Sequence, residues 1–238
     1  MVRVAILVPV LNRPERAAPV AESARAAATV ATTVMFVCSP GDTREIRAAR
    51  RTEETVVVVG WAPGRGDYAR KINHAARLAL ADGAAWVFTG ADDLAFHHGW
   101  DTTAIAAARG RPAWVGTVDL CNPRTRRARH STHSLVAADY IIERGTVDRR
   151  GAIYHEGYHH NFVDDEGCAT ARARGLYVPS AAVVEHLHPD GRRAPDDDTY
   201  RLGRTHFLED RALFRRRQNL WAKPLVPDVR RRPRGALR

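Results

Sequence analysis

At 238 residues and 45% hydrophobic content, the chain can bury one sizeable core; it is short for two independent domains and too apolar to be disordered throughout. Cys38, Cys121 and Cys168 are odd in number and widely spaced, which fits neither a disulfide framework nor a CxxC metal site and points to a reducing, cytoplasmic setting. The formal charge of +10 is concentrated: residues 191–238 carry 14 Lys/Arg against 6 Asp/Glu, and the residues before them 23 against 21.

Residues 2–10 form a continuous β-branched and apolar run, expected as a strand buried on both faces and not as a signal sequence. A helix over 14–28 follows, with Pro14 suited to its first turn. Strands are predicted over 34–38, 55–59, 85–89 and 113–118, with helices over 43–51 (capped by Asp42), 67–81 and 100–109 between them. This alternation predicts a layered α/β architecture with a mostly parallel central sheet flanked by helices. The basic stretch 122–133 reads as a loop and 134–143 as a helix. Residues 151–162, rich in His and Tyr, read as irregular; their imidazoles lack a partner set for zinc, so an acceptor-side loop is the expectation there. A helix over 163–174, ended by Gly175, two short strands at 177–179 and 182–184, and a terminal helix over 199–217 complete the pattern. No apolar run approaches the roughly 20 residues of a membrane span.

The most informative stretch is Trp86-Val87-Phe88-Thr89-Gly90-Ala91-Asp92-Asp93, a short apolar strand ending in two adjacent carboxylates. The strand end is expected to expose Asp92 and Asp93 as hard oxygen ligands for a divalent cation held with a diphosphate. Four other places keep it company. Ile6-Leu7-Val8-Pro9-Val10-Leu11-Asn12-Arg13 resembles the opening strand and loop of a nucleoside pocket. Tyr68-Ala69-Arg70-Lys71-Ile72-Asn73-His74-Ala75 resembles the helix beneath the nucleotide. Val163-Asp164-Asp165-Glu166, with Arg172 and Gly175, resembles an ED-x-E helix, and Ala182-Val183-Val184-Glu185-His186 a late strand whose His reaches a metal. In order and spacing these five places resemble the GT-A-fold inverting glycosyltransferases of the family 2 type, including small bacterial and phage enzymes, over about residues 2–190.

The resemblance implies a GT-A (Rossmann-like layered) fold, a UDP- or GDP-type sugar donor and Mn²⁺ or Mg²⁺ at Asp92 and His186, with His188 as the alternative imidazole. It implies donor contacts from Pro9, Asn12, Arg13, Lys71, Asn73, Asp92 and Asp93. Pro9, Asn12 and Arg13 are also compatible with an ordinary strand-to-helix turn, and Arg70 and Lys71 with solvated helix cations. Asp164 is the expected general base, with Asp165 or Glu166 taking a structural role. Trp100, Arg127, His155, Asp165, Glu166 and His188 are assigned to the acceptor side, Trp100 with a buried anchoring role as the competing reading. Two departures stand out: the first acid of the DxD motif falls at Gly90, and the Glu that ordinarily precedes the base falls at Val163.

The expected organisation is a single catalytic domain over 1–220, with a nucleotide-sugar half (1–118) and an acceptor half (119–220), and a basic tail over 221–238. The charge of the tail and of the Arg124, Arg126, Arg127 and Arg129 loop suggests a polyanionic acceptor, either DNA carrying hydroxylated bases or an acidic protein. Two other function classes compete. A nucleotidyltransferase would ordinarily carry a Gly-rich phosphate loop after the first strand, and Leu11-Asn12-Arg13-Pro14 has none. A non-catalytic nucleic-acid-binding protein would show a recognised binding motif.

Overall fold

A computed structural model describes residues 2–221. One 8-stranded sheet organises the molecule, in the order β3-β2-β1-β4-β7-β6-β8-β5. The first half follows the sequence pattern closely. Strands β1 (Arg3–Pro9), β2 (Ala31–Cys38), β3 (Thr55–Val58) and β4 (Trp86–Thr89) pair in parallel, linked by helices α1 (Ala17–Ala27), α2 (Thr43–Arg50) and α3 (Asp67–Ala81). A 3₁₀ turn at Pro14–Arg16 precedes α1. Helix α1 buries Ala17, Val20, Ala21, Ala24 and Ala27, a helical stripe of small side chains that lets it lie close on the sheet. The Asp42 side chain caps α2 by accepting the Glu45 N–H at 3.1 Å.

The second half corrects several sequence expectations. Residues 134–143 are not one helix: Ser134–Ala137 is strand β7, fully buried and antiparallel to both β4 and β6 (Trp114–Val118), and only Ala138–Glu143 is helical (α6). The four buried residues of β7 are too few to show a period, and the helical pattern after them absorbed the prediction. Pro123–Arg126 forms a short helix, α5, inside the expected loop. The two short late strands are one, β8 (Tyr177–His186), irregular where it runs beside Gly116–Val118 of β6. Strand β5 (Leu94–Phe96) was not expected; it pairs antiparallel with β8, placing Leu94 opposite His186. Helix α4 (Trp100–Ala108) and α7 (Val163–Ala173) lie near their expected positions. The terminal helix is two, α8 (Asp198–Thr205) and α9 (Phe207–Trp221), broken at His206.

The core centres on β1 and β4. Phe88, Phe96 and Trp100 pack as an aromatic cluster with ring centroids 4.7–5.5 Å apart. Among the described residues, no helix is long and apolar enough to cross a membrane. The basic tail expected over 221–238 lies, from residue 222 onward, outside the described residues.

Candidate active site

The carboxyl ends of β1, β4 and β8 point the same way, and the residues that follow them come together on that side of the sheet, where an α/β fold leaves a crevice for ligands. Strand β5 aligns the site. Its pairing with β8 brings the Leu187 N–H to the Asp93 carbonyl at 2.8 Å and sets His186 Nε2 3.2 Å from Asp93 Oδ2. The Tyr200 hydroxyl of α8 donates to the same oxygen at 2.6 Å. Asp92 turns the other way and accepts from Arg13 Nη1 at 3.2 Å. Both carboxylates are buried, contrary to the expectation that the strand end would expose them, Asp93 against His186 and Tyr200 and Asp92 against Arg13.

Arg13 is the hub of the charges. It faces Asp92, lies 3.8 Å from Asp93, donates to Asp197 at 2.8 Å and stacks on the Tyr200 ring at 3.9 Å. Arg16 adds a second guanidinium 3.6 Å from Asp93 and donates to the Tyr200 hydroxyl at 2.9 Å. Burial raises the Asp92 carboxyl above the usual range and the neighbouring Asp93 raises it further, with Arg13 opposing. Burial also works against ionised Asp93, but the charge and hydrogen bond of His186 and the Tyr200 hydroxyl overcome it and hold Asp93 well below that range. His186 is raised in return, Asp93 outweighing burial.

Beneath this pair lies His133, whose ring is 5.0 Å from that of His186. Its Nδ1–H donates to the Thr89 carbonyl at 2.7 Å, leaving Nε2 buried without a hydrogen-bond partner. Burial and then the charge of His186 bring it down to about 4. Asp93 Oδ1 is likewise buried and unpartnered. A carboxylate oxygen with no partner, beside an imidazole and with a second carboxylate adjacent, is a donor set that fits Mn²⁺ or Mg²⁺.

Across the site stands Asp164, in the first turn of α7. It does not cap that helix; Phe162 occupies the N-cap with φ 67° and no side-chain cap bond forms. Asp164 Oδ2 lies 3.3 Å from His130 Nε2. Burial disfavours its charge, but the His130 hydrogen bond and charge prevail and hold it below the carboxylate range. His130, despite its own burial, is pushed up to about 10, mainly by Asp164. Tyr68 connects the two sides: its hydroxyl donates to the Gly90 carbonyl at 3.1 Å, and after burial the charges of Asp164 and Asp93 both raise it. Asp165 pairs with Arg124.

Other sequence-picked residues have different company. Lys71, 1% exposed, donates to the Val10 carbonyl at 2.9 Å and pairs with Asp67 at 2.8 Å. Asn73 clamps the chain opposite α3: it accepts the N–H groups of Ile153 and Tyr154 and donates to the Tyr154 carbonyl and Glu156. Trp100 is 1% exposed and offers no face to an acceptor. Glu166 is buried between the Tyr158 hydroxyl and Arg217. Asn12 is exposed at φ 58°, its N–H on Asp42, and Pro9 is half-buried at the end of β1. Arg127 is exposed; half-buried His155 rests edge-on against Tyr158, and half-buried His188 edge-on against Tyr200.

Sequence reasoning missed Arg16, His130, His133, Asp197 and Tyr200. Asp197 had a signal, an Asp196-Asp197-Asp198 run inside a basic segment; the others had none. At Gly90, where an acid was expected, the N–H donates to the Leu7 carbonyl at 2.8 Å, and a Cβ would stand 2.6 Å from that oxygen.

No protein-family profile matches the chain, and no curated protein matches it by sequence. Solved structures do. One is a mannosyltransferase from Pyrobaculum calidifontis in complex with GDP-Man and Mn²⁺, with 16% identity and a TM-score of 0.65 over 90% of this chain and 64% of that one. The chain thus spans under two thirds of that neighbour's length. The fold is GT-A. Glucosyl-3-phosphoglycerate synthase from Mycobacterium tuberculosis shares it, at 13% identity and TM-scores of 0.58 (with Mn²⁺ and UDP-glucose; 90% of this chain, 79% of that one) and 0.60 (with Mn²⁺, UDP and phosphoglyceric acid; 95% and 80%). The sheet order and the carboxylates at the strand ends of this GT-A fold put the candidate site where such sheets bind ligands.

Proposed function

We propose that the chain transfers a sugar from a nucleoside-diphosphate donor of the UDP or GDP type to a hydroxyl acceptor, with inversion at the transferred carbon. One observation carries this reading: Asp92, Asp93 and His186 gather at the ends of β4 and β8, close enough to Asp164, held separately by His130, for its charge to act on His186. Complexes of the neighbouring structures with GDP-Man or UDP-glucose and Mn²⁺ support the donor class.

Asp93, His186 and Asp92 would hold Mn²⁺ or Mg²⁺, which would supply Lewis-acid stabilisation of charge developing on the leaving diphosphate. Arg13 and Arg16 provide charge-assisted donors for the same oxygens once released from Asp197. Asp164 accepts the proton of the acceptor hydroxyl as that oxygen attacks the sugar carbon from the face opposite the diphosphate. His130 keeps Asp164 in the carboxylate form that proton acceptance requires. Arg126, Arg127 and Arg129 are exposed on the loop that leads to His130, which supports an acidic acceptor, hydroxylated DNA or an acidic protein.

The direct test is nucleotide release from a panel of sugar nucleotides with and without Mn²⁺. Metal-dependent release from at least one donor is expected, and none from any donor overturns the reading. For the acceptor, a salt titration of duplex DNA binding decides: steep salt dependence supports DNA, and weak, salt-insensitive binding removes it.

A further inference from the structure

The imidazoles of 155–160 have no partner set in the sequence; the fold supplies one. His206, at the break between α8 and α9, and Glu209, in the first turn of α9, are three residues apart and share a helix face. His159 reaches them from the loop before α7. Its Nε2 lies 3.1 Å from Glu209 Oε2, and His206 Nδ1 lies 3.4 Å from Glu209 Oε1. The two imidazole rings stack, 3.8 Å between centroids and 5° between planes, so one of them turns about its side-chain bonds for both to reach a single ion. Potential ligand atoms of all three side chains lie within 4.8 Å of one another.

The backbone that carries His159 is held in advance. Asp210, adjacent to Glu209 and 1% exposed, accepts the backbone N–H groups of His159, His160 and Asn161 at 2.7, 2.9 and 2.8 Å. One turn of α9 thus presents Glu209 outward and, through Asp210, fixes the loop carrying His159. Arg65 also lies 3.3 Å from Glu209, but as an exposed ion pair it is weak and easily released.

We propose that His159, His206 and Glu209 bind one divalent transition-metal ion, zinc by preference. Two imidazoles and one carboxylate suit zinc, whereas Mg²⁺ and Ca²⁺ prefer oxygen donors throughout. Three protein ligands leave a fourth position to solvent. The ion would tie the loop before α7 to the junction of α8 and α9, and α8 carries Asp197 and Tyr200 onto Arg13 and Asp93. This site is separate from the donor side and does not depend on the reading of Asp92, Asp93 and His186.

The test is calorimetric titration of the untagged full chain with zinc chloride alone, repeated on His159→Gln, His206→Gln and His186→Asn, with far-UV circular dichroism on each. One equivalent bound at about 10 μM or tighter is expected at this site, separate from any zinc taken up at Asp92, Asp93 and His186. The affinity of this equivalent should fall about 100-fold or more in His159→Gln and His206→Gln, since even outer-shell losses cost 10–100-fold, and stay unchanged in His186→Asn. If both glutamine variants bind as many equivalents as tightly as the wild-type chain, or if His186→Asn binds none, the proposal is overturned. Should a variant fail to fold, Co²⁺ added to the wild-type chain decides. Intense visible absorption of a tetrahedral site supports the assignment, and only weak octahedral bands reject it.

Discussion

The two halves of the sheet are held by different forces. From β1 to β4, parallel strands and Ala-rich helices close on a mainly apolar core in which Ile6, Leu7, Val8, Val87 and Phe88 are fully buried, with Lys71–Asp67 as a buried charge pair. From β5 to α9, paired charges share the task. Arg217 of α9 is buried between Glu166 of α7, at 2.8 Å, and Asp148, at 2.9 and 3.0 Å. Asp210 gathers three N–H groups, and Arg174 donates to the carbonyls of Gly145 and Thr146 at 2.8 Å. Apolar packing tolerates small changes in shape, whereas a buried charge network fails when one member is removed.

The largest expected effect lies between the halves. Asp164→Asn should retain nucleotide binding and lose about 10²- to 10⁴-fold in transfer rate, as removal of a positioned base does. Single-turnover rates alongside calorimetric nucleotide affinity check this, and near-wild-type transfer would reassign Asp164 to structure.

Arg217→Ala sharpens the contrast within the scaffold. It strands Glu166 without its cation and should cost about 3–5 kcal/mol in urea unfolding. Ile72→Val, in the apolar half, should cost only about 0.5–1.5 kcal/mol. Equal costs would erase the distinction between the halves.

Acid should act through His133. Its pKa drops from 6.5 to about 4 on folding, so below pH 6.5 the unfolded chain binds a proton that the folded chain refuses. The corresponding stability is present above pH 6.5 and is lost as pH falls towards 4, by about 3 kcal/mol in all. His186 is raised instead and works in the opposite sense, its contribution fading as pH rises. Between pH 7 and 4 the wild type should therefore lose about 3 kcal/mol more unfolding free energy than His133→Gln.

A modest effect separates a clamp from a ligand contact. Asn73→Ala leaves the N–H groups of Ile153 and Tyr154 without their acceptor and should cost about 1–3 kcal/mol. Nucleotide affinity at a temperature where the variant is folded should be unchanged. A selective loss of affinity would put Asn73 in the donor pocket.

The same division governs what could be read from the sequence. Residues 2–118 announce their strands and helices because burial there is written in runs of Val, Ile, Leu and Ala at a recognisable period. β7 and β5 hold only four and three residues, too short for a period, and their pairing is decided by neighbours far along the chain. The chemistry-bearing types Asp92, Asp93, Asp164 and His186 stand out as residues. Their partners do not: Arg13 meets Asp197 across 184 positions, and His130 meets Asp164 only because a loop folds back onto α7. Lys71 and Asn73 look like phosphate and nucleotide ligands in one dimension, yet in three dimensions their polar atoms hold the carbonyl of Val10 and the loop 153–156.

Gly90 sets a limit on the engineering of this site. With the Leu7 carbonyl oxygen 2.6 Å from where its Cβ would stand, an acidic side chain at 90 requires β1 to move first. That displacement would unsettle the pairing of β1 with β2 and β4. A third carboxylate for this site therefore has to be grafted from another element, because the glycine is a fixed point of the frame and not a free position for design.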